Sequence, residues 1–175
     1  MYLSGSQDNM YNQEKIEVVR SAMIHLKETV SVAESVTSGH LQAALSSAEE
    51  ATRFFQGGIT AYNLGQKCRH LQVEPISAES CNCVSQRVAD EMAIHSNTLF
   101  SSHWAIGITG YAAPVPELKI KELFAFFSIA YKKQLVVTGK LKAAQSKPVE
   151  VQVFYANEVI KAFANFLTED RILLA

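Results

Sequence analysis

The chain has 175 residues with 16 Lys+Arg against 17 Asp+Glu, a formal net charge of −1, and 48% hydrophobic residues. This length suits one domain with one core, and the balanced charge argues against a nucleic-acid partner. No run approaches the roughly 18 apolar residues of a transmembrane helix, and the first twelve residues lack the pattern of a secretory signal. We therefore expect a cytoplasmic protein that binds neither nucleic acid nor membrane.

The cysteine pattern indicates reduced thiols. The three cysteines, Cys68, Cys81 and Cys83, cannot all pair within one chain. The spacing of Cys81 and Cys83 is not the CxxC of a redox or zinc site.

The first predicted elements are helix, strand, turn and helix. A helix through about residues 13–27 follows from the spacing of Ile16, Val19, Met23 and Leu26. Residues 29–33 (TVSVA) alternate and are β-branched, which predicts a short strand. Residues 34–39 follow as a turn, and helical spacing returns from residue 41.

The later elements follow from caps, apolar runs and turn residues. Three further helices are predicted: residues 63–71 with Asn63 as cap, residues 85–100 with Ser85 as cap, and a last helix opened by Pro148. Four further strands are predicted at residues 59–62, 104–108, 123–131 and 134–141. The segments 46–58, 75–82 and 109–116 are predicted to be irregular or looped.

The alternation of strands and helices predicts an α/β fold. The last two strands are separated only by Lys132 and Lys133, which indicates an antiparallel hairpin and hence a mixed, mostly parallel sheet. We predict a three-layer α/β/α sandwich. It forms a single domain over residues 13–175 after a polar tail of residues 1–12.

The turn after the first strand is the first candidate site. A serine where a strand feeds a helix projects from the carboxyl edge of the sheet, and free backbone N–H groups of the turn can face an oxyanion or phosphate. Ser35 has this placement. The alternative is that Ser35 or Thr37 only caps the following helix.

A nucleophilic serine needs a base, and no histidine has a telling position relative to an aspartate. A partly desolvated lysine can lose its proton near neutral pH and act instead. Lys67 begins the helix after the second strand, and Tyr62 precedes it at the strand end. If the first two strands are neighbours, both residues reach the sheet edge that carries Ser35; otherwise Lys67 is an ordinary surface lysine.

A third segment, residues 109–114 (TGYAAP), follows another strand. Its small residues, which begin with Thr109 and Gly110, would let a ligand approach the backbone. The alternative is a plain surface loop. The three segments together describe one cleft.

Five ordered blocks resemble the CinA C-terminal domain family, over about residues 13–167. They are AESVTSG (33–39), FFQGGITAYN (54–63), Lys67 with the apolar residues after it, VSQRVADEMA (84–93) and ITGYAAP (108–114). The resemblance implies an amidohydrolase that converts nicotinamide mononucleotide to nicotinate mononucleotide and ammonia, in pyridine-nucleotide recycling. No metal or cofactor is implied.

The resemblance also implies roles for residues. Ser35 would be the nucleophile, Lys67 the general base, and Tyr62 would hold the lysine or relay a proton to the leaving ammonia. Backbone N–H groups near Thr37, Ser38 and Gly39 would stabilise the oxyanion. Thr109, Gly110 and Lys147 complete the predicted substrate-binding set.

The sequence departs from the family pattern in two places. Residues 114–119 replace an acidic, glycine-rich stretch, and residues 144–150 replace an arginine-bearing element, leaving Lys147 as the nearby cation. A second hypothesis is therefore a nucleotide-binding or interaction module without turnover. A distance within about 3.2 Å between Ser35 Oγ and Lys67 Nζ would favour the enzyme. We also expect a homo-oligomer, with the strand that carries Phe124 and Phe126 as one possible interface.

Overall fold

A five-stranded sheet carries helices on both faces in the computed structural model, which describes residues 9–169. The strands are β1 (Val30–Glu34), β2 (Phe55–Thr60), β3 (Trp104–Gly110), β4 (Leu123–Tyr131) and β5 (Gln134–Ala143). The helices are α1 (Gln13–Leu26), α2 (His40–Ser46), α3 (Leu64–Leu71), α4 (Pro75–Ser80), α5 (Gln86–Phe100) and α6 (Pro148–Glu169). Short 3-10 turns occur at Ala51–Arg53 and Pro116–Leu118.

The sheet order is β2-β1-β3-β4-β5, with β1 central between two parallel neighbours and β4 and β5 added antiparallel. The predicted three-layer α/β/α sandwich with a mixed sheet is confirmed. Because β1, β2 and β3 run the same way, the segments that follow them emerge at one edge of the sheet.

The two faces of the sheet have separate cores. Helices α1, α2 and α6 cover one face over a large core that includes Trp104, Tyr155 and Phe163. Helices α3, α4 and α5 cover the other face over a smaller core that includes Ala33, Leu71 and Met92. Each core follows from alternation along the strands, since Val32 belongs to the first and Ala33 to the second.

Caps and turn positions confirm most of the predicted elements. The Asn63 side chain accepts from the Gln66 amide, and that of Ser85 from the Val88 amide, so α3 and α5 begin where predicted. The predicted hairpin is also present, and both turn residues, Lys132 and Lys133, adopt positive φ angles of 48° and 68°. This is the pattern of a two-residue hairpin turn.

The predicted second strand, residues 59–62, is wrong. β2 runs over Phe55–Thr60. It includes Gly57 and Gly58, which are predicted from the sequence to lie in the irregular segment 46–58. A Cβ on Gly58 would lie 2.4 Å from Val32 Cγ2 and 2.7 Å from Gln42 Cγ, so glycine lets this edge strand pack closely against β1 and α2. Tyr62 therefore lies beyond the strand.

Two predicted loops are partly wrong. Residues 75–80 of the segment 75–82 form α4, whose first turn is capped by the Glu74 side chain accepting from the amides of Ile76 and Ser77. Thr109 and Gly110 of the segment 109–116 belong to β3, because they pair with Phe126 and Ala125 of β4.

Residues 1–8 of the predicted polar tail lie outside the described residues. The end of the tail is bonded to α6, because the Asn157 side chain accepts from the Asn12 amide and donates to the Met10 carbonyl. Within residues 9–169 no helix has the length and apolarity to cross a bilayer. The three cysteines are free thiols.

Candidate active site

Ser35 and Lys67 form the centre of the site. Ser35 directly follows β1, and Lys67 lies on α3, which follows the neighbouring strand β2. Lys67 Nζ lies 2.9 Å from Ser35 Oγ and donates to the Ala61 carbonyl, also at 2.9 Å. The distance between Ser35 Oγ and Lys67 Nζ is within the 3.2 Å that favours the enzyme hypothesis.

Lys67 is buried, and no carboxylate within residues 9–169 pairs with it. Only 1% of the residue is exposed, and its ammonium faces a hydroxyl and a carbonyl. Burial lowers the pKa of Lys67, which the nearby Cys83 and Cys68 oppose only as smaller effects. A lysine with a lowered pKa is neutral in a larger fraction of molecules and can accept the serine proton.

Glu34 is a buried residue that the sequence reasoning missed. Its carboxylate accepts from the backbone amides of Gly39, Leu41 and Gln42 and from the Gln42 side chain, at 2.9–3.1 Å. These contacts tie the end of β1 to the start of α2 around Ser35. The signal available in the sequence was an acidic residue at the end of an apolar strand, directly before the candidate serine.

The turn between β1 and α2 leaves two backbone amides without an acceptor. The amide of Ser38 donates to the Ser35 carbonyl, and that of Gly39 to Glu34. The amides of Val36 and Thr37 donate to no acceptor within residues 9–169. Val36 lines the pocket, whereas Thr37 is fully buried and does not. Of the predicted oxyanion residues, only Thr37 has a free amide, and the amides of Ser38 and Gly39 are already bonded.

Tyr62 stands at the mouth of the site. The residue is 71% exposed, and the hydrogen bonds of Lys67 go to Ser35 and Ala61. Tyr62 therefore does not hold the lysine in this structure. A role in proton relay to the leaving group stays a prediction.

A pocket of about 420 Å³ opens above the dyad. Its floor is formed by buried lining residues, among them Ser35, Lys67 and Cys83. Its walls are mostly neutral and include Tyr62, Leu64, Val84, Tyr111, Ala112, Ala113 and Val115. This volume is in the range of small-molecule sites. Burial raises the pKa of the Cys83 thiol, which favours its protonated, less reactive form.

Thr109 and Gly110 line the pocket as predicted. The Thr109 hydroxyl donates to the Cys83 carbonyl at 2.7 Å, so it holds the wall together and can offer a ligand only its lone pairs. The loop after β3 is held by α6, because the hydroxyl of Tyr155 donates to the Tyr111 carbonyl at 3.2 Å.

The structure does not bring the other predicted binding residues to the pocket wall. Thr37 is fully buried, and the hydroxyl of Ser38 lies 3.4 Å from the Ser35 carbonyl oxygen. Lys147 is exposed beside Pro148, and Pro148 rather than the lysine lines the pocket. Within the described part of the chain, no three His, Cys, Asp or Glu residues are grouped as metal ligands.

Comparison with known proteins identifies the family. The family model for the CinA C-terminal domain matches residues 12–166. The chain belongs to the CinA C-terminal domain family. The match contains the whole candidate site, including Ser35, Lys67 and the pocket loop after β3.

Curated relatives with similar sequences carry the description CinA-like protein. One from Picosynechococcus is 41% identical over 88 residues, which is 50% of this chain and 21% of the relative. One from Rippkaea orientalis is 39% identical over 97 residues, or 55% of this chain and 23% of the relative. The chain thus spans about a quarter of the length of the curated relatives it matches.

Solved structures of the CinA superfamily share the fold. A protein from Klebsiella pneumoniae has a TM-score of 0.82 at 24% identity, covering 92% of this chain and 99% of its own. One from Enterobacter cloacae has a TM-score of 0.82 at 22% identity, covering 95% of this chain and 99% of its own. At these identities the likeness shows the CinA fold alone.

Proposed function

We propose that this CinA-family domain is an amidohydrolase that deamidates nicotinamide mononucleotide to nicotinate mononucleotide and ammonia. The observation that carries the proposal is the 2.9 Å contact between Ser35 Oγ and the buried Lys67 Nζ at the floor of a pocket. A serine in contact with a buried lysine can supply the nucleophile and the base of a metal-independent acyl transfer.

In the first half-reaction the neutral amine of Lys67 takes the Ser35 hydroxyl proton while Oγ bonds to the carboxamide carbon. The carbonyl oxygen becomes an oxyanion that accepts from the free amide of Val36, which lines the pocket beside Ser35. The Lys67 ammonium then gives its proton to the carboxamide nitrogen. The C–N bond breaks, ammonia leaves, and an ester on Ser35 remains.

In the second half-reaction a water molecule attacks the ester carbon. Lys67 takes the water proton and returns it to Ser35 Oγ as the ester bond breaks. The acid product leaves and the dyad is restored. The electron-poor pyridinium ring of the substrate favours both attacks.

The test is ammonia release from nicotinamide mononucleotide by the pure protein. We expect turnover by the wild type and a loss of about 10³-fold or more in Ser35→Ala, as for other removed serine nucleophiles. Ser80→Ala, on the exposed end of α4, is the matched control and should keep its activity. Turnover that survives in Ser35→Ala would remove the proposal.

The alternative is a module that binds a nucleotide without turnover. The exposed position of Tyr62, which makes no hydrogen bond to Lys67, favours it. Nucleotide binding with no ammonia release by the wild type would support this alternative, and serine-dependent turnover would exclude it.

A further inference from the structure

We propose that this site recognises the carboxamide-bearing ring and its sugar but not a phosphate, so that the dephosphorylated nucleoside is as good a substrate as the nucleotide. The inference rests on the proposed function, because it concerns the substrate of the same dyad. It follows from the charges around the pocket.

The wall of the pocket offers no cation for a phosphate. Lys67 is the only Lys or Arg side chain in the lining contributed by residues 9–169. It is committed to Ser35 and the Ala61 carbonyl at the floor, where the reacting carboxamide must sit.

The start of α6 borders the pocket through Pro148 and Gln152 but is poorly suited to an anion. Pro148 has no N–H, and the amides of Glu150 and Val151 donate to the Lys147 carbonyl. The Glu150 carboxylate occupies this first turn and accepts from the Ser146 hydroxyl. A carboxylate there opposes the positive end of the helix dipole that would otherwise favour a phosphate.

Lys147 and the arginines of residues 9–169 do not compensate. Lys147 is exposed and outside the lining, and a flexible lysine does not replace the bidentate grip of an arginine on phosphate. Arg20 and Arg53 pair with Glu50, Arg87 pairs with Glu91, and Arg69 is exposed on α3; none of these arginines lines the pocket. A phosphate on the substrate would remain in bulk water.

The walls fit the rest of such a substrate. Tyr62, Leu64, Val84 and Tyr111 present flat or apolar surfaces above the dyad, which suit a planar ring. Asn82 also lines the pocket, and its side-chain nitrogen lies 3.2 Å from the Tyr111 hydroxyl. By rotating, this side-chain amide can bond to a sugar hydroxyl of the substrate.

The experiment compares kcat/KM for nicotinamide mononucleotide and nicotinamide riboside. We expect the riboside to be at least a third as good as the nucleotide. An advantage of the nucleotide greater than threefold would overturn the inference while leaving the proposed function intact. In parallel, calorimetric affinities of Ser35→Ala for both compounds give the same ratio without turnover, so the inference is tested even where ammonia release fails.

Two variants sharpen the comparison. Gln152→Arg places a guanidinium on the wall and should raise the ratio of nucleotide to riboside, in kcat/KM or affinity, by about tenfold. Lys147→Ala should change that ratio by less than threefold. A larger fall of the ratio in Lys147→Ala would mean that this lysine grips the phosphate, and would contradict the inference.

Discussion

At the scale of single residues, the burial of Lys67 beside Ser35 has an energetic cost. The unfolded lysine titrates near 10.4, and burial lowers its pKa in the folded protein. Between these two values the unfolded chain binds more protons, so the stability of the wild type rises with pH. The cost is largest below the folded pKa and disappears above about 10.4.

Lys67→Met should therefore abolish ammonia release and stabilise the protein. We expect a gain near neutral pH of about 1.4 kcal/mol for each unit by which the pKa is lowered, shrinking as the pH rises towards 10.4. Urea unfolding of both proteins at pH 7 and at pH 10 measures it. A gain that grows with pH, or a loss at both values, would contradict the buried, depressed lysine.

Tyr62 offers a different test, because its hydroxyl is exposed and not bonded to Lys67. If it passes a proton to the leaving group, Tyr62→Phe should lower kcat by about tenfold or more with KM almost unchanged. The acid limb of the kcat/KM profile, which reports the lysine, should not move. A shift of that limb would show instead that Tyr62 acts on Lys67.

At the scale of elements, Glu34 joins β1 to α2. Glu34→Ala leaves three backbone amides at the start of α2 without their acceptor. We expect the free energy of unfolding to fall by about 3 kcal/mol, because these are buried bonds to a charged group. The exposed Glu49→Ala is the control and should change stability by less than about 0.5 kcal/mol.

The same variant separates stability from positioning. The turn that Glu34 holds carries Ser35 and the free amides of Val36 and Thr37. Folded Glu34→Ala should therefore lose kcat by about tenfold or more even at temperatures where circular dichroism shows no unfolding. Full activity in the folded variant would limit Glu34 to a structural role.

Which elements the sequence predicted correctly depended on how local their signals were. The starts of α3 and α5 were predictable from Asn63 and Ser85, because each cap and its partner amide are three residues apart. β2 was misplaced because the reason for Gly58 lies in Val32 and Gln42, which no local pattern connects to it. α4 was missed because its cap is a glutamate, Glu74, rather than the usual Ser, Thr, Asp or Asn.

At the scale of the whole molecule, the topology made the dyad predictable. Ser35 and Lys67 are 32 residues apart, and adjacency of two parallel strands brings their side chains to 2.9 Å. The free amides of the turn after β1 and the position of Lys147 were not predictable, because they depend on which turn donors Glu34 occupies and on how the chain enters α6. Such details follow from tertiary contacts, not from spacing.

The division into two cores has a consequence for how the protein loses activity. Ser35 follows the fully buried interior strand β1. Lys67 lies on α3, over the smaller core and after the edge strand β2, which has no fully buried residue. Weakly packed units open locally before the whole chain unfolds. In rising urea we therefore expect ammonia release to fall before the fluorescence of Trp104, the single tryptophan, which packs in the larger core. Coincident midpoints would show one cooperative unit; separate midpoints would make inactivation a local event, reversible while the rest of the molecule stays folded.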